Sequence, residues 1–147
     1  MKQLLSVFRR LFLLALLTAC QPDSTSHTTP DAATAGPTRA SVMQHHDSIM
    51  SRMDALTTER QRLQQQLTTL DTTGVAGRNA AQILRRRARA LLQADAAMMD
   101  WMHRYKEPDT TRLSAHQYTD FWAGQAQQLT QLDRQITTAL DSAQQLR

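Results

Sequence analysis

Mostly apolar side chains, interrupted by His46, Arg60, Arg87 and Gln125, recur at alternating intervals of four and three residues along most of this 147-residue chain. The first row comprises Val42, His46, Ile49, Met53, Leu56, Arg60, Leu63, Leu67 and Leu70. The second comprises Ala80, Leu84, Arg87, Leu91, Ala94, Met98, Trp101 and Tyr105. The third comprises Tyr118, Trp122, Gln125, Leu129, Leu132, Ile136, Ala139, Ala143 and Leu146. This spacing keeps one side of a helix apolar, as in a coiled coil, and predicts helices over about 42–70, 79–106 and 114–146.

Local signals mark the ends of these helices. The segment 71–77 contains two glycines and separates the first row from the second. Asn79 is predicted to cap the second helix, which Pro108 ends because proline lacks a backbone donor. Ser114 and Gln117 form a capping-box pattern at the start of the third helix. Since no strand-like alternation occurs, we expect an all-α fold, an elongated antiparallel three-helix bundle that is up-down-up and coiled-coil-like.

The amino terminus has the pattern of an export signal. A basic segment precedes the apolar run LFLLALL (11–17), which is too short to cross a bilayer. The sequence Leu17-Thr-Ala-Cys20 that follows resembles the lipobox recognised by lipoprotein signal peptidase. We therefore expect 1–19 to be a lipoprotein signal peptide and the Cys20 thiol to carry a lipid with acyl chains such as palmitate.

Composition changes again after the leader. Residues 20–40 are rich in Ser, Thr and Pro, which predicts a disordered tether before a bundle over 41–147. The formal charge of +4 includes three leader residues among the 17 basic ones. The remaining 14 (17 − 3) nearly balance the 13 acidic residues, so we expect no nucleic-acid binding.

A basic run, Arg85-Arg-Arg-Ala-Arg89, lies in the middle of the second predicted helix. The favoured interpretation is a solvated face with Arg87 extending from the apolar row toward water. The alternative is attraction to anionic lipid headgroups, lipopolysaccharide or an acidic partner.

An antiparallel bundle brings the start of the first helix, the end of the second and the start of the third to one end. All six methionines after the leader, four of the five histidines and both tryptophans fall in these segments. The candidate partner-binding or metal-binding residues there are His46, Asp47, Met50, Met53, Met98, Trp101, Met102 and His103.

Three interpretations of this end remain open. Thioethers and imidazoles favour Cu(I), which predicts a copper site. Its candidate ligands are His46, Met50, Met98 and Met102. Alternatively, the methionines and aromatic rings bind a partner, or they simply fill an irregular core.

Two segments carry a resemblance to a known family. His46-Asp-Ser-Ile-Met50-Ser-Arg-Met53 and Met98-Met-Asp-Trp-Met102 resemble the H-D-x-x-M-x-x-M and M-x-D-W-M segments of an uncharacterised family of small helical bacterial lipoproteins. Some members carry the label "viral A-type inclusion protein". The resemblance implies an envelope lipoprotein with a helical fold and supplies no activity. It also implies that Asp47 and Asp100 belong to the same end of the bundle.

The function expected from these patterns is a non-enzymatic interaction module, a scaffold or chaperone-like protein, that is anchored in the cell envelope. The alternative is a periplasmic copper-handling lipoprotein that uses the same cluster. No metalloprotease motif or glycine-rich phosphate loop occurs, so we expect no enzyme. Because Gln21 stands where many inner-membrane lipoproteins have Asp, we expect the periplasmic face of the outer membrane. Expected partners are the bilayer, an envelope protein and further copies of the chain.

Overall fold

The computed structural model describes residues 36–145. Its helices are α1 (Arg39–Met50), α2 (Met53–Thr69), α3 (Val75–Arg104) and α4 (Ala115–Gln144). This range is helical and without strands, which confirms the all-α class. The predicted signal peptide, Cys20 and most of the predicted tether lie outside the described residues. Within 36–145, no helix combines the length and the apolar character that crossing a bilayer requires.

The three predicted rows form the core of the bundle. Buried side chains come from every helix, and most of them lie at the predicted spacing. Those on the rows are Val42, Ile49, Leu56, Leu63, Leu84, Leu91, Ala94, Met98, Trp101, Trp122, Leu129, Ile136, Ala139 and Ala143. Glu59, Ala81 and Leu140 are also buried but lie beside the rows. Burial of a large apolar side chain contributes roughly 1.5–3 kcal/mol to the free energy of unfolding, so these three rows are the main source of stability.

Side-chain hydrogen bonds show that α3 and α4 run in opposite directions. Near the end of α3, Trp101 Nε1 donates to Gln125 Oε1 at 3.1 Å, early in α4. Nearer the start of α3, Arg87 donates to the carbonyl of Ser142, close to the end of α4. Residue numbers therefore rise along one helix as they fall along the other.

The first two helices run in the same direction as α4. His45 Nε2 of α1 lies 3.3 Å from Asp133 Oδ2, and Arg62 Nη2 of α2 donates to the carbonyl of Ala143 at 2.8 Å. Numbers thus rise together along both partners. This order of contacts is consistent with an all-α helical bundle.

The first predicted helix is wrong in one respect, because two helices replace it. The interruption falls at Ser51 and Arg52, between α1 and α2. The Ser51 hydroxyl donates to the carbonyl of Ser48 at 2.7 Å, a local bond of the kind that competes with helical geometry. Arg52 in turn bonds to Asp133 of α4, so the interruption lies where a long-range ion pair forms.

Two predicted boundaries are also wrong. Helix α1 begins at Arg39, because Thr38 and Ser41 form a reciprocal capping box, so the last residues of the predicted tether are helical. Helix α3 begins at Val75 after the N-cap Gly74, which places Asn79 inside the helix instead of at its cap.

The turn before α3 explains why a glycine occupies position 77 within the helix. A Cβ atom at this position would overlap the carbonyl oxygen of Asp71. The Asp71 carboxylate holds the turn by accepting bonds from the Thr73 backbone N–H at 2.9 Å and its hydroxyl at 2.8 Å. Glycine therefore serves close approach of the turn, not termination of the helix.

The remaining boundaries agree with the sequence. Helix α3 ends at Arg104, four residues before Pro108, and Tyr105 is extended. The Ser114 hydroxyl accepts from the Gln117 backbone N–H at 3.3 Å, and the Gln117 side chain accepts from the Ser114 N–H at 3.0 Å, so the predicted capping box is confirmed.

The two helical glycines predict opposite effects of the same substitution. Gly77→Ala should destabilise the protein by about 1–3 kcal/mol, because the new methyl group must displace the turn. Gly124→Ala should stabilise it by roughly 0.5–1 kcal/mol, because nothing lies within 4 Å of the new Cβ and alanine favours the helix. Urea unfolding measures both changes, and a stabilising Gly77→Ala would contradict the close approach seen here.

Candidate functional site

Aromatic rings from two helices stack at the end where α1 begins and α3 finishes. The His46 ring lies 5.5 Å from the Trp101 ring, centroid to centroid, and is tilted by 31°. Trp101 stacks on Tyr105 at 5.2 Å with an interplanar angle of 29°. The stack therefore joins α1 to the last turn of α3.

A second aromatic group lies at the start of α4. Trp122 is almost fully buried and contacts Phe121 edge-on, with centroids 4.9 Å apart. Tyr118 meets the same ring edge-on at 5.9 Å. Edge-to-face pairs of this kind add stability beyond burial alone. The aromatic contacts of the described residues therefore form two groups, one joining α1 to α3 and one within α4.

The methionines of this end differ in exposure. Met43, Met50, Met53 and Met102 are half-buried and pack against the core. Met98 has 0% exposed surface, whereas its neighbour Met99 is 42% exposed. The half-buried thioethers leave part of each side chain on the surface, while Met98 belongs to the interior.

The polar candidates lie around these methionines. The half-buried His46 has its Nδ1 atom 3.0 Å from Asp47 Oδ1, and Asp47 is largely exposed. His103 is exposed in the last turn of α3. Trp101 is buried and its indole N–H already donates to Gln125. Asp100, which the family resemblance added, is exposed and pairs with Arg104 at 2.7 Å.

The geometry leaves the metal hypothesis open. Among residues 36–145, no three His, Cys, Asp or Glu side chains come close enough together to hold a metal ion, but three of the four proposed copper ligands are thioethers. Met98, one of the four, is enclosed in the core. Copper binding by His46, Met50, Met98 and Met102 stays a prediction.

An ion-pair cluster beside this end was not anticipated from the sequence. Asp133 of α4 accepts from Arg52 and lies within hydrogen-bonding distance of His45. Burial alone would raise the pKa of Asp133, but the hydrogen bonds from Arg52 and His45 outweigh it and leave that pKa lowered. The one available signal was that His45 and Arg52 are seven residues apart and so share a helix face.

A second ion pair ties the start of α1 to the chain that follows α3. Arg39 donates to both carboxylate oxygens of Glu107, at 2.6 and 3.2 Å. This bidentate bond lowers the pKa of Glu107. Nearby, burial and the charge of Glu107 raise the pKa of Tyr105, whose hydroxyl has no partner in the described residues. The chain therefore enters the bundle at the end that contains the stack of His46, Trp101 and Tyr105, which we call the aromatic end.

Comparisons with known proteins add no relative. No protein-family model, curated protein or solved structure matches this chain. The class that the fold and the candidate site define is a helical bundle with an aromatic- and methionine-rich end. The resemblance to small helical lipoproteins stays a prediction.

Met98 and Met99 offer a matched test of packing against ligation. Met98→Ala should destabilise the metal-free protein by about 2–5 kcal/mol, because it leaves a cavity in the core. Met99→Ala should change stability by less than about 0.5 kcal/mol, since that residue is 42% exposed and lies outside the core. Denaturant unfolding in the presence of a chelator measures both. Equal, small effects for the two variants would favour a ligand role for Met98.

The Asp133 cluster predicts an acid-sensitive contribution to stability. Because the folded-state pKa of Asp133 is lowered from 3.8, its contribution is complete above that value. It is lost as the pH falls from 3.8 through the lower folded pKa. Asp133→Asn should remove this dependence at a cost of at most about 1 kcal/mol near neutrality, as the pair is partly exposed.

Unfolding measured from pH 2 to pH 7 tests this prediction of acid sensitivity. The matched control is Asp141→Asn, an exposed carboxylate on the same helix that should leave the acid limb of the profile unchanged. An acid limb that is identical in wild type and Asp133→Asn would disprove the assignment.

Proposed function

We propose that this chain is a lipid-anchored envelope lipoprotein whose bundle acts as a non-enzymatic interaction module, a scaffold or chaperone-like protein. The observation that carries the proposal is the packing of aromatic and half-buried thioether side chains from three helices at one end. We define this end surface by His46, Asp47, Met50, Met53, Met102 and His103, over a floor of Met98 and Trp101.

The chemistry of the end surface supports binding to a protein partner. Methionine side chains are flexible and polarisable, so the half-buried thioethers of this surface can adapt to varied apolar partners. Asp47 and His103 are exposed and supply polar groups around them. Protein interfaces commonly combine an apolar centre with a polar rim. The rigid floor limits the entropy lost when a partner binds, since Met98 and Trp101 are already fixed by packing.

The position of the end surface supports a partner close to the membrane. Helix α1 begins at Arg39, which pairs with Glu107 at this same end. The proposed acylation site, Cys20, lies only sixteen residues before Gly36 (36 − 20). Even fully extended, sixteen residues span at most about 55 Å. The partner proposed here is therefore a protein of the same envelope membrane, with the periplasmic face of the outer membrane as the proposed location.

The anchor and the end surface can be tested in one set of strains. Radiolabelled palmitate should be incorporated into the chain and lost in Cys20→Ser, because that thiol is the proposed acylation site. A photoreactive residue at position 47 should cross-link to one envelope protein in the native host. Excess unmodified chain should compete, and the substitution pair Met50→Asp with Met102→Asp should abolish the cross-link by placing charge in the apolar centre.

A photoreactive residue at position 65 provides the matched control, because Gln65 is exposed near the far end of α2. It should give no cross-link to the same protein. Equal products from positions 47 and 65, or products that survive the double substitution, would rule out the end surface as the binding region. Absence of palmitate would rule out the anchor separately.

A further inference from the structure

The side of α3 that faces away from the core carries a continuous row of exposed residues. They recur at alternating intervals of four and three, as the core row does, but on the opposite side of the helix. This outer stripe comprises Arg78, Gln82, Arg85, Arg89, Leu92, Ala96, Met99 and His103. Every one of these side chains is exposed.

The positive charge of the outer stripe is not neutralised within the described part of the chain. Arg85 and Arg89, with Arg86 beside them, form no ion pair there, whereas Arg39, Arg52, Arg62, Arg104 and Arg112 each pair with a carboxylate. Along the span of the stripe, Arg78 to His103, the acidic residues of α3 are the half-buried Asp95 and the exposed Asp100, which pairs with Arg104.

The same helix also carries the exposed apolar surface. The exposed large hydrophobic side chains within 36–145 are Val75, Ile83, Leu92 and Met99, and all four belong to α3. Leu92 is 47% exposed and Met99 42%, with Ala96 between them on the outer stripe. Arginines therefore occupy one half of the stripe and apolar side chains the other half.

We propose that the outer stripe of α3 lies against an anionic lipid surface, the membrane that bears the anchor. Guanidinium groups bind phosphate oxygens, and each basic residue near an anionic surface strengthens association roughly fivefold. Leu92 and Met99 insert between headgroups, as apolar side chains of interfacial helices do. The inference rests on the proposed function in one respect, because the lipid anchor holds the bundle at that membrane.

The length of the chain before the bundle is sufficient for this placement. Arg85 and Arg89 lie 19 and 15 residues before Arg104 along α3. At 1.5 Å per residue these are distances of about 29 and 23 Å from the end where the chain enters. Sixteen residues can extend up to about 55 Å, so the anchor does not hold α3 away from the bilayer.

The charges of the chain favour lipid over a second copy of the protein. The exposed carboxylates on the four helices are Asp47, Asp54, Asp100, Asp120 and Asp141. Asp47 and Asp54 lie seven positions apart across the break between α1 and α2, and every other pair is at least twenty positions apart, so the described helices offer no continuous acidic row to match Arg85 and Arg89. An anionic bilayer presents such a row of negative charge at any orientation.

The reactivity of one introduced thiol tests the inference. The full chain with Ala96→Cys is produced in a bacterial host, purified with its lipid and reconstituted in vesicles of phosphatidylcholine alone or with phosphatidylglycerol. A membrane-impermeant maleimide should react with this thiol at least about tenfold more slowly on the anionic vesicles than on the neutral ones. High salt should restore the rate, since about 1 M salt screens charges beyond roughly 3 Å.

Matched variants separate this effect from general electrostatics. Arg85→Gln with Arg89→Gln should weaken docking about 25-fold, the product of two fivefold factors, and restore the rate. Arg112→Gln with Arg134→Gln removes the same charge from exposed positions off the stripe and should preserve the protection. A thiol at position 127, introduced as Gln127→Cys in exposed surface of α4, should react equally on both kinds of vesicle.

Three outcomes would overturn the inference. They are equal rates at position 96 on neutral and anionic vesicles, equal effects of the two arginine pairs, and protection without vesicles that rises with protein concentration. The last result would indicate a second copy on the stripe.

The mass of the N-terminal peptide reports acylation independently. Should Cys20 prove unacylated, the anchor fails, while excess anionic vesicles must still protect position 96 for the stripe assignment to stand.

Discussion

The C-terminal carbonyl groups of α4 are bound by arginines from two other helices. Arg87 of α3 donates to the carbonyl of Ser142, and Arg62 of α2 donates to that of Ala143 at 2.8 Å. The last carbonyls of a helix have no partner within it and carry partial negative charge. A guanidinium group therefore supplies them with both a hydrogen-bond donor and a compensating positive charge. Arg87 interrupts the apolar row of its own helix, and this bond is the reason that the core tolerates it.

The register set at these carbonyls determines what meets at the opposite end. Because α3 and α4 are antiparallel, fixing Arg87 against Ser142 aligns Trp101 with Gln125 further along. The buried indole N–H thereby gains an acceptor, and the Trp101 ring contacts that of His46 at an interplanar angle of 31°. The aromatic end is thus a consequence of helix register and not of local sequence alone.

The sequence predicted which residues lie on the buried side of each helix better than it predicted the contacts that those residues make. The spacing that placed Ile49, Leu91 and Leu129 on apolar rows is a property of the helix period, and all three are fully buried. The row that contains Leu91 also contains Met98, so the pattern predicted the burial of Met98, although its thioether also suggested a copper ligand.

What the pattern could not supply depends on contacts that the helix period does not encode. The interruption at Ser51 and Arg52 coincides with an ion pair to Asp133, 81 residues further on. Gly77 looks like a helix breaker until the carbonyl of Asp71, in the preceding turn, is seen to need the space beside it. The first contact is tertiary and the second is local, and neither can be derived from the apolar spacing.

Helix α3 has one face in the core and another on the outer stripe, and the two proposals meet only at its last turn, where His103 lies. Met98 and Trp101 face the core, while Leu92 and Met99 are exposed on the outer stripe. Asp47, on the exposed part of the end surface, belongs to α1. A bilayer against the outer stripe of α3 would therefore leave the α1 part of the end surface open. In the proposed arrangement the α1 part of the end surface stays open to the partner, while α3 contributes Met102 to that surface and its outer stripe, including His103, to the membrane contact.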